Sequence, residues 1–264
     1  MKRDMTALVT GASSGIGKAY AQSLARQGYD LILVARRREL LESLGEELGS
    51  RYGIEADVLT ADLTRDEEVI RVAEQIEAAA DLSMLVNNAG FAVETLFAES
   101  DIERQLDMVR IHDMAAMRLT RAALPGMLAR RRGYIVNLSS MGGFFPFPGN
   151  AIYNASKAFL VTFTETLQLE LAGTGVHVQV LCPGFTHTGF HAAENLDVSD
   201  IPAGMWMNAD EVVEESLRAL QRGKVVFIPG SRNRMLALFF KLPRPLLYRG
   251  IGLLVKGAAR RSSR

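Results

Sequence analysis

Along the chain, short runs of consecutive aliphatic residues alternate with longer stretches in which apolar positions return every three or four residues. The short runs lie near 5–10 (MTALVT), 30–35 (DLILVA), 54–61, 82–86 (LSMLV), 133–139 (GYIVNLS), 176–182 (VHVQVLC) and 224–229 (KVVFIP). Their near-continuous apolarity predicts strands buried on both faces, as in a parallel sheet covered by helices, and not strands with one wet face. The helical periods fall between them, near 15–28, 37–52, 65–80, 100–131, 153–173 and 209–222. No linker, repeat or low-complexity block interrupts the alternation. The pattern therefore predicts one doubly wound α/β domain over residues 1–231: a Rossmann-like, seven-stranded, mainly parallel sheet with helices on both faces and a right-handed crossover at each βαβ step. Two segments depart from it. Residues 185–208 form an insertion of the length that compact domains reserve for functional loops. The extension 232–264 is basic and apolar.

Composition narrows this picture. At 264 residues and 48% hydrophobic content the chain can bury a single large core. Lys and Arg equal Asp and Glu at 30 each, so no global charge attracts nucleic acid. The balance is uneven along the chain, because residues 232–264 carry nine basic and no acidic side chains. The lone cysteine, Cys182, excludes an intramolecular disulfide and fits a reducing compartment; its place before a proline at the end of an apolar run predicts an inert buried thiol. The start, MKRDMTALVTGASSG, reads as a first strand and not as a signal peptide, which points to the cytoplasm.

The first strand runs directly into Thr10-Gly11-Ala12-Ser13-Ser14-Gly15-Ile16-Gly17, followed by a helix. Glycines at 11, 15 and 17 permit a tight turn and a close approach to a pyrophosphate, whose charge meets the N–H groups of the helix start. That position, between strand and helix, makes a dinucleotide site the better reading than an ordinary turn.

The spacing TGxxxGIG resembles that of the short-chain dehydrogenase/reductase family, and further motifs follow in the family's order over about residues 5–230. Asn87-Asn88-Ala89-Gly90 matches NNAG after strand four. Ser140 with Tyr153 and Lys157 in YNASK matches the catalytic serine and YxxxK, and Pro183-Gly184 with Thr188 resembles PGxxxT after strand six. The resemblance implies cofactor contacts at Gly11, Ser13, Ser14, Gly15, Ile16, Gly17, Asn88, Ala89, Gly90, Tyr153, Lys157, Pro183, Gly184 and Thr188, and an adenine-contacting pair at Asp62-Leu63.

The chemistry has its own argument. Tyr153 and Lys157 are four positions apart on one helix and share a face. A phenol with an ordinary pKa of about 10 is a poor acid–base group near neutrality. An adjacent ammonium, joined by the positive charge of an oxidised nicotinamide, is expected to draw it toward working pH. Tyr153 then gives the proton in reduction, Ser140 orients the carbonyl oxygen, and Lys157 tunes the phenol and binds ribose.

Members of the family that prefer NAD place an acidic residue at the end of strand two. This chain reads Val34-Ala35-Arg36-Arg37-Arg38 there. Arginine pairs with a 2′-phosphate in forked geometry, so NADP(H) is the expected cofactor, with Arg36 the first candidate clamp and Arg37 the second. Positive charge at a helix start opposes the helix dipole and asks for such a reason.

One position departs from the family pattern. Many members carry an asparagine thirteen residues before the proline that Pro125 matches, and here that place holds His112. In the family the asparagine acts largely through its main-chain carbonyl, which binds a water in a proton relay toward the lysine. The expectation is that His112 keeps this backbone role while its imidazole, which could titrate near neutrality, adjusts the helix.

His187 and His191, with Glu194 beyond, have a superficial metal-ligand spacing, but they fall in a loop and the family needs no metal for hydride transfer; flap residues are the expectation. Met141, Phe144, Phe145, Phe147, Phe185, Phe190, Met205, Trp206 and Met207 cluster in sequence around the site, several in Gly- and Pro-rich loops. They predict a lipophilic carbonyl or alcohol substrate of the 3-oxoacyl, steroid or long-chain ketone kind. The tail is too interrupted by Lys241, Pro243, Arg244, Pro245 and Arg249 for a membrane span. A cover over the pocket or an oligomer interface is placed ahead of peripheral contact with anionic lipid. Family analogy implies a homodimer or homotetramer through the 100–131 and 153–173 helices. The alternative to an oxidoreductase is a catalytically idle dinucleotide-binding sensor or scaffold.

Overall fold

A computed structural model describes residues 5–189 and 201–239. Its centre is a seven-stranded parallel sheet in the order β3-β2-β1-β4-β5-β6-β9, formed by β1 (Thr6–Thr10), β2 (Asp30–Ala35), β3 (Ala56–Thr60), β4 (Leu82–Asn87), β5 (Gly133–Leu138), β6 (Val176–Leu181) and β9 (Val226–Phe227). The chain first builds outward from β1 to β3, then returns to pair β4 with the other edge of β1. That reversal between β1 and β4 opens a crevice at the carboxyl ends of the strands, where doubly wound sheets bind ligands.

Alternate residues of the central strands enter two separate cores, as the two-residue period of a strand requires. On one face Val9, Leu33 and Val86 pack with Leu24 of α1 (Gly15–Arg26), Leu41 and Leu48 of α2 (Arg38–Tyr52) and Val213 and Leu220 of α7 (Ala209–Gln221). On the other, Leu8, Leu85 and Ile135 pack with Val72 and Ile76 of α3 (Asp66–Ala78) and Leu119 and Met127 of α5 (Ala115–Ala129). A smaller cluster of Ala116, Leu160, Val161, Val180 and Cys182 lies under the carboxyl end of β6. Cys182 is fully buried, and desolvation pushes its thiol up to about 12, which keeps it inert at neutral pH.

The expected helix over 100–131 is three pieces: α4 (Ile102–Val109), a π-helical turn Arg110–Met114, and α5. No glycine or proline marks the break in sequence, so the period alone gave no sign of it. The turn widens the helix where it crosses the sheet's carboxyl edge, and both His112 and Asp113 become buried. Consecutive residues of a regular helix point about 100° apart.

The helix carrying YNASK, α6 (Ala151–Glu170), starts two residues earlier than its period predicts, which puts Tyr153 in its first turn. In the insertion, β7 (Thr186–His187) pairs in parallel with β8 (Met207–Asn208), bringing the two ends of the loop together. Phe190, His191 and Glu194 lie outside the described residues, as does the tail from position 240. The described start of the tail is a helix, α8 (Ser231–Phe239).

Candidate active site

The glycine loop is laced to the loop after β4 by one buried threonine. Thr10 Oγ1 accepts from the backbone N–H groups of Asn88 (2.9 Å) and Ala89 (3.0 Å), and donates to Val86 O (3.2 Å). Asn88 Nδ2 returns the contact to Thr10 O at 2.8 Å. Gly11 sits at φ 66°, the left-handed region that a side chain strains to reach, and it makes the turn out of β1. A Cβ at Gly17 would collide with the Gly11 carbonyl, so only glycine lets α1 begin this close to the strand end.

Arg37 closes the outer side of the loop. Its guanidinium donates to Ser13 Oγ and Ser14 Oγ, both at 2.9 Å, whereas Arg38 pairs with Glu42 at 2.6 Å and Arg36 is exposed. Ser14 stands at the N-cap of α1 without a side-chain bond to the helix N–H groups, and the first turn of α1 holds no acid. A helix start of this kind, under a glycine turn and beside an arginine, has the donor set that a phosphate-bearing dinucleotide needs. Thr188 lies against Gly15, where a Cβ would come within 3.0 Å of it, so the segment after β6 borders the same loop. Pro183 O accepts from Met141 N at 3.0 Å, and Gly184 packs on the buried Asn233 of α8. Asp62 sits farther out, its carboxylate accepting from the Thr64 N–H and hydroxyl at 3.1 and 2.8 Å, next to the buried Leu63.

On the other side of the crevice the structure brings together Ser140, Tyr153, Lys157 and His112. Ser140 starts a 3-10 turn, Met141–Phe144, and its Oγ accepts from Gly142 N at 3.0 Å. Ser140 Oγ and the edge of the Tyr153 ring both lie against the Cα of Gly142. Lys157 Nζ lies 5.5 Å from the centre of the Tyr153 ring and donates to Leu138 O at 3.0 Å, at the end of β5. Burial raises the phenol above its ordinary value, and the nearby Ser140 hydroxyl opposes the rise. The downward pull expected from the ammonium does not offset that desolvation. Burial also lowers Lys157, to about 8, against the opposing influence of Asp113.

His112 is 2% exposed. Its Nε2 accepts from Phe91 N at 3.2 Å, and its ring stands edge-on to Tyr153 with centroids 5.9 Å apart. Burial, with the Lys157 charge adding to it, holds the imidazole well below the usual histidine range, so it is neutral at physiological pH. The titration near neutrality that the sequence left open is removed by desolvation. A neutral ring that accepts at Nε2 carries its proton on Nδ1.

Behind these groups runs a polar ladder of which motif reading singled out only Asn87, the first residue of the NNAG match. Asn87 and Asn137 face each other across β4 and β5, joined from Asn87 Nδ2 to Asn137 Oδ1 at 2.9 Å. Asn137 Nδ2 continues to Thr164 Oγ1 at 2.9 Å, and that hydroxyl donates to Leu160 O at 2.7 Å. The ladder ties β4, β5 and α6 into one register beneath Lys157. The only sequence signal for the rest of it was polarity inside otherwise apolar strands.

The paired ends of the insertion carry an aromatic cluster. Phe185 and Trp206 lie with ring centres 5.6 Å apart, and His187 stacks on Trp206 at 4.8 Å, so His187 belongs to a ring cluster. Phe144 and Phe145 are half-buried beside Ser140, and Phe147 is exposed.

The family model for short chain dehydrogenases matches residues 5–199. The chain belongs to the short-chain dehydrogenase/reductase family. Among solved structures of this family, a short-chain dehydrogenase from Sphingobium yanoikuyae in complex with NADPH superposes with a TM-score of 0.82 at 36% identity, covering 88% of this chain and 91% of that one. A very-long-chain 3-oxoacyl-CoA reductase of Phaeosphaeria nodorum is 41% identical over 183 residues, which are 67% of this chain and 53% of that protein. The inactive hydroxysteroid dehydrogenase-like protein 1 of Homo sapiens is 35% identical over 191 residues, 72% of this chain and 58% of that protein. The chain thus spans about half the length of these curated relatives.

Proposed function

We propose that this short-chain dehydrogenase/reductase is an NADP(H)-dependent oxidoreductase that interconverts a lipophilic carbonyl compound and its secondary alcohol. The observation that carries the reading is the gathering of Ser140, Tyr153 and the buried Lys157, with Ser140 Oγ and the Tyr153 ring both against Gly142 and Lys157 Nζ 5.5 Å from the ring centre, across the crevice from the glycine loop. When bound, the reduced nicotinamide supplies the hydride. Tyr153 gives its phenolic proton to the carbonyl oxygen, and Ser140 donates a hydrogen bond to the same atom. Lys157, as an ammonium, favours the phenolate left behind and holds a ribose hydroxyl. His112 contributes position: its neutral ring ties the π-turn to the backbone after Gly90 and backs the Tyr153 ring.

NADP(H) is favoured by the absence of an acid after β2 and by Arg37 on the rim of the loop, with Arg36 beside it; the NADPH complex of the Sphingobium relative supports the same choice. The contacts assigned to Gly11, Ser13, Ser14, Gly15, Ile16, Gly17, Asp62, Leu63, Asn88, Ala89, Gly90, Pro183, Gly184 and Thr188 belong to this proposal. The aromatic cluster on the insertion favours an apolar substrate, and the similarity to a very-long-chain 3-oxoacyl-CoA reductase points to the 3-oxoacyl end of that range. Exposed apolar side chains on α5 and α6, including Met117 and Leu169, support a homo-oligomer built on those helices. The packing of α8 on Gly184 supports the tail as a cover of the site. Among the described residues no helix is long and apolar enough to cross a membrane. Cytoplasmic placement, with peripheral lipid contact through the tail, is retained as part of the proposal.

A panel of carbonyl compounds assayed with NADPH and NADH tests this directly. Turnover of long-chain or polycyclic ketones with NADPH preferred, and its loss in Tyr153→Phe, is the expected result. Binding of NADPH with no turnover of any class would instead favour an idle sensor, a reading that the likeness to a human relative named as inactive keeps in view.

A further inference from the structure

Among the described side chains of α8, the buried one is polar. Asn233 is 6% exposed, whereas Met235 and Leu238 stand out at 61% and 62%. A surface helix usually docks through an apolar stripe, so the seat of this helix calls for another account. Its contacts are polar. Asn233 Nδ2 donates to Pro229 O at 3.0 Å and reaches Met207 Sδ at 3.6 Å, and Arg232 donates to Gly204 O at 2.7 Å. Arg234 donates to Ile228 O at 3.1 Å and pairs at 3.4 Å with Glu215 of α7, which also accepts from Gly230 N at 3.1 Å.

Two of these contacts land on the second stem of the 185–208 insertion: Gly204 lies in the 3-10 turn Ala203–Met205, and Met207 opens β8. The Asn233 amide meets the first stem as well. A Cβ at Gly184 would come within 2.9 Å of its Oδ1, Nδ2 and Cγ, so the glycine two residues before β7 leaves the space that Asn233 fills. The stems are joined to one another by Met207 N, which donates to Phe185 O at 3.0 Å, and by the pairing of β7 with β8. The first stem runs from Pro183, bonded to the turn after Ser140, to Thr188 beside Gly15 of the glycine loop. α8 itself lies beside that Ser140 turn. An apolar side chain would fill the space at Gly184 without the cost of burying an amide, and the amide here spends its donors on Pro229 and on the second stem.

We propose that Asn233, with Arg232, is a positioning residue for the substrate: the pair holds the two stems of the insertion in fixed register beside the Ser140 turn. The inference rests on the reductase reading of the site. Phe185 stands on one stem and Trp206 on the other, with ring centres 5.6 Å apart, so the register of the stems sets the apolar surface that they form. The start of the C-terminal extension thereby sets the fit of an apolar substrate. Nucleotide binding carries no such dependence, because Arg37 and Thr10 lace the glycine loop without contact to α8.

Amide hydrogen exchange, read by NMR, and substrate kinetics on the full chain test this. The Met207 N–H, bonded across the stems, is the reporter. Its exchange is expected to quicken about 10-fold in Asn233→Ala and about 3-fold in Arg232→Ala, the scale of one buried and one exposed hydrogen bond. Arg232→Lys, which can still donate to Gly204 O, is expected to bring it back toward wild type. With a long-chain ketone, KM is expected to rise about 10-fold in Asn233→Ala, with kcat and NADPH affinity within about 2-fold of wild type. Arg232 is exposed, so its variants keep the test open if Asn233→Ala does not fold. Unchanged Met207 exchange in the folded variants overturns the proposal. Equal quickening of the β2 amides overturns it too, because the role would then be in global stability, and so does an unchanged KM. Absence of turnover in wild type overturns the reductase reading and leaves the exchange rates to judge the hold of α8 on the stems separately.

Discussion

The two walls of the crevice are built on opposite principles. The glycine-loop wall, from β1 to α2, is an apolar core with a small polar cap. Val9, Leu24, Leu33, Leu41 and Leu48 are buried beneath it, and its contacts above are made mostly by backbone and by Thr10. The opposite wall, formed by β5, the π-turn and α6, buries Asn137, Thr164, His112, Asp113 and Lys157, groups that would each be solvated in an isolated element. The first wall is stabilised by area removed from water, which is non-directional and tolerant of small shifts. The second depends on directional bonds such as the Asn87–Asn137–Thr164 ladder, because an unpaired buried polar group carries a desolvation cost that His112 Nδ1 and Asp113 Oδ1 already bear. A nucleotide needs a close and permissive backbone, whereas proton transfer needs fixed atoms, and the two constructions match those needs.

Substitutions on each wall should therefore fail differently. The largest effect is expected from Gly17→Ala, whose added methyl meets the Gly11 carbonyl backbone and leaves neither side free to yield. A loss of stability of roughly 1–3 kcal/mol is expected from such overpacking, with nucleotide affinity lost as well; thermal melts with and without NADPH check both. Asn137→Ala cuts the ladder at its centre and removes one bond each from Asn87 and Thr164, which keep their bonds to Thr120 and to Leu160 O. Its cost should be about 1–3 kcal/mol in denaturant unfolding, with kcat falling more than nucleotide affinity, since the damage lies under Lys157. Equal losses of both would remove the functional division between the walls.

Arg37→Ala tests the rim of the first wall. It should weaken NADPH by about 10-fold, the value of one charge-assisted bond, and leave NADH almost unchanged. A larger effect from Arg36→Ala would move the clamp to the neighbouring position. The smallest change is expected from His112→Asn. The ring is already neutral and its Nε2 serves as an acceptor, which an amide oxygen replaces, so the pH profile should keep its shape and the rate change by a few-fold at most. A shifted limb would give the imidazole a direct part in proton transfer.

Much of the first wall was legible in the chain. The strand ends, the glycine turn and the arginines after β2 follow from local pattern, and the structure places Arg37 rather than Arg36 on the loop serines. Ser140, Tyr153 and Lys157 were legible through spacing, since four positions on a helix share a face. The π-turn was not. Its apolar period passes through residues 102–131 with no glycine or proline at positions 110–114 to mark it. The burial of Asp113 was hidden as well, since an acid in a helical period reads as a solvent-facing position.

The sequence by itself determined the fold class and the hand of its crossovers, because buried parallel strands joined by amphipathic helices wind one way, and it determined which residue types could bind a nucleotide and move a proton. Only the tertiary structure decided their charge states. Burial removed the titration of His112, raised Tyr153 and lowered Lys157. Protonation depends on desolvation and on neighbours distant in the chain, and neither exists until the two walls have closed on one another.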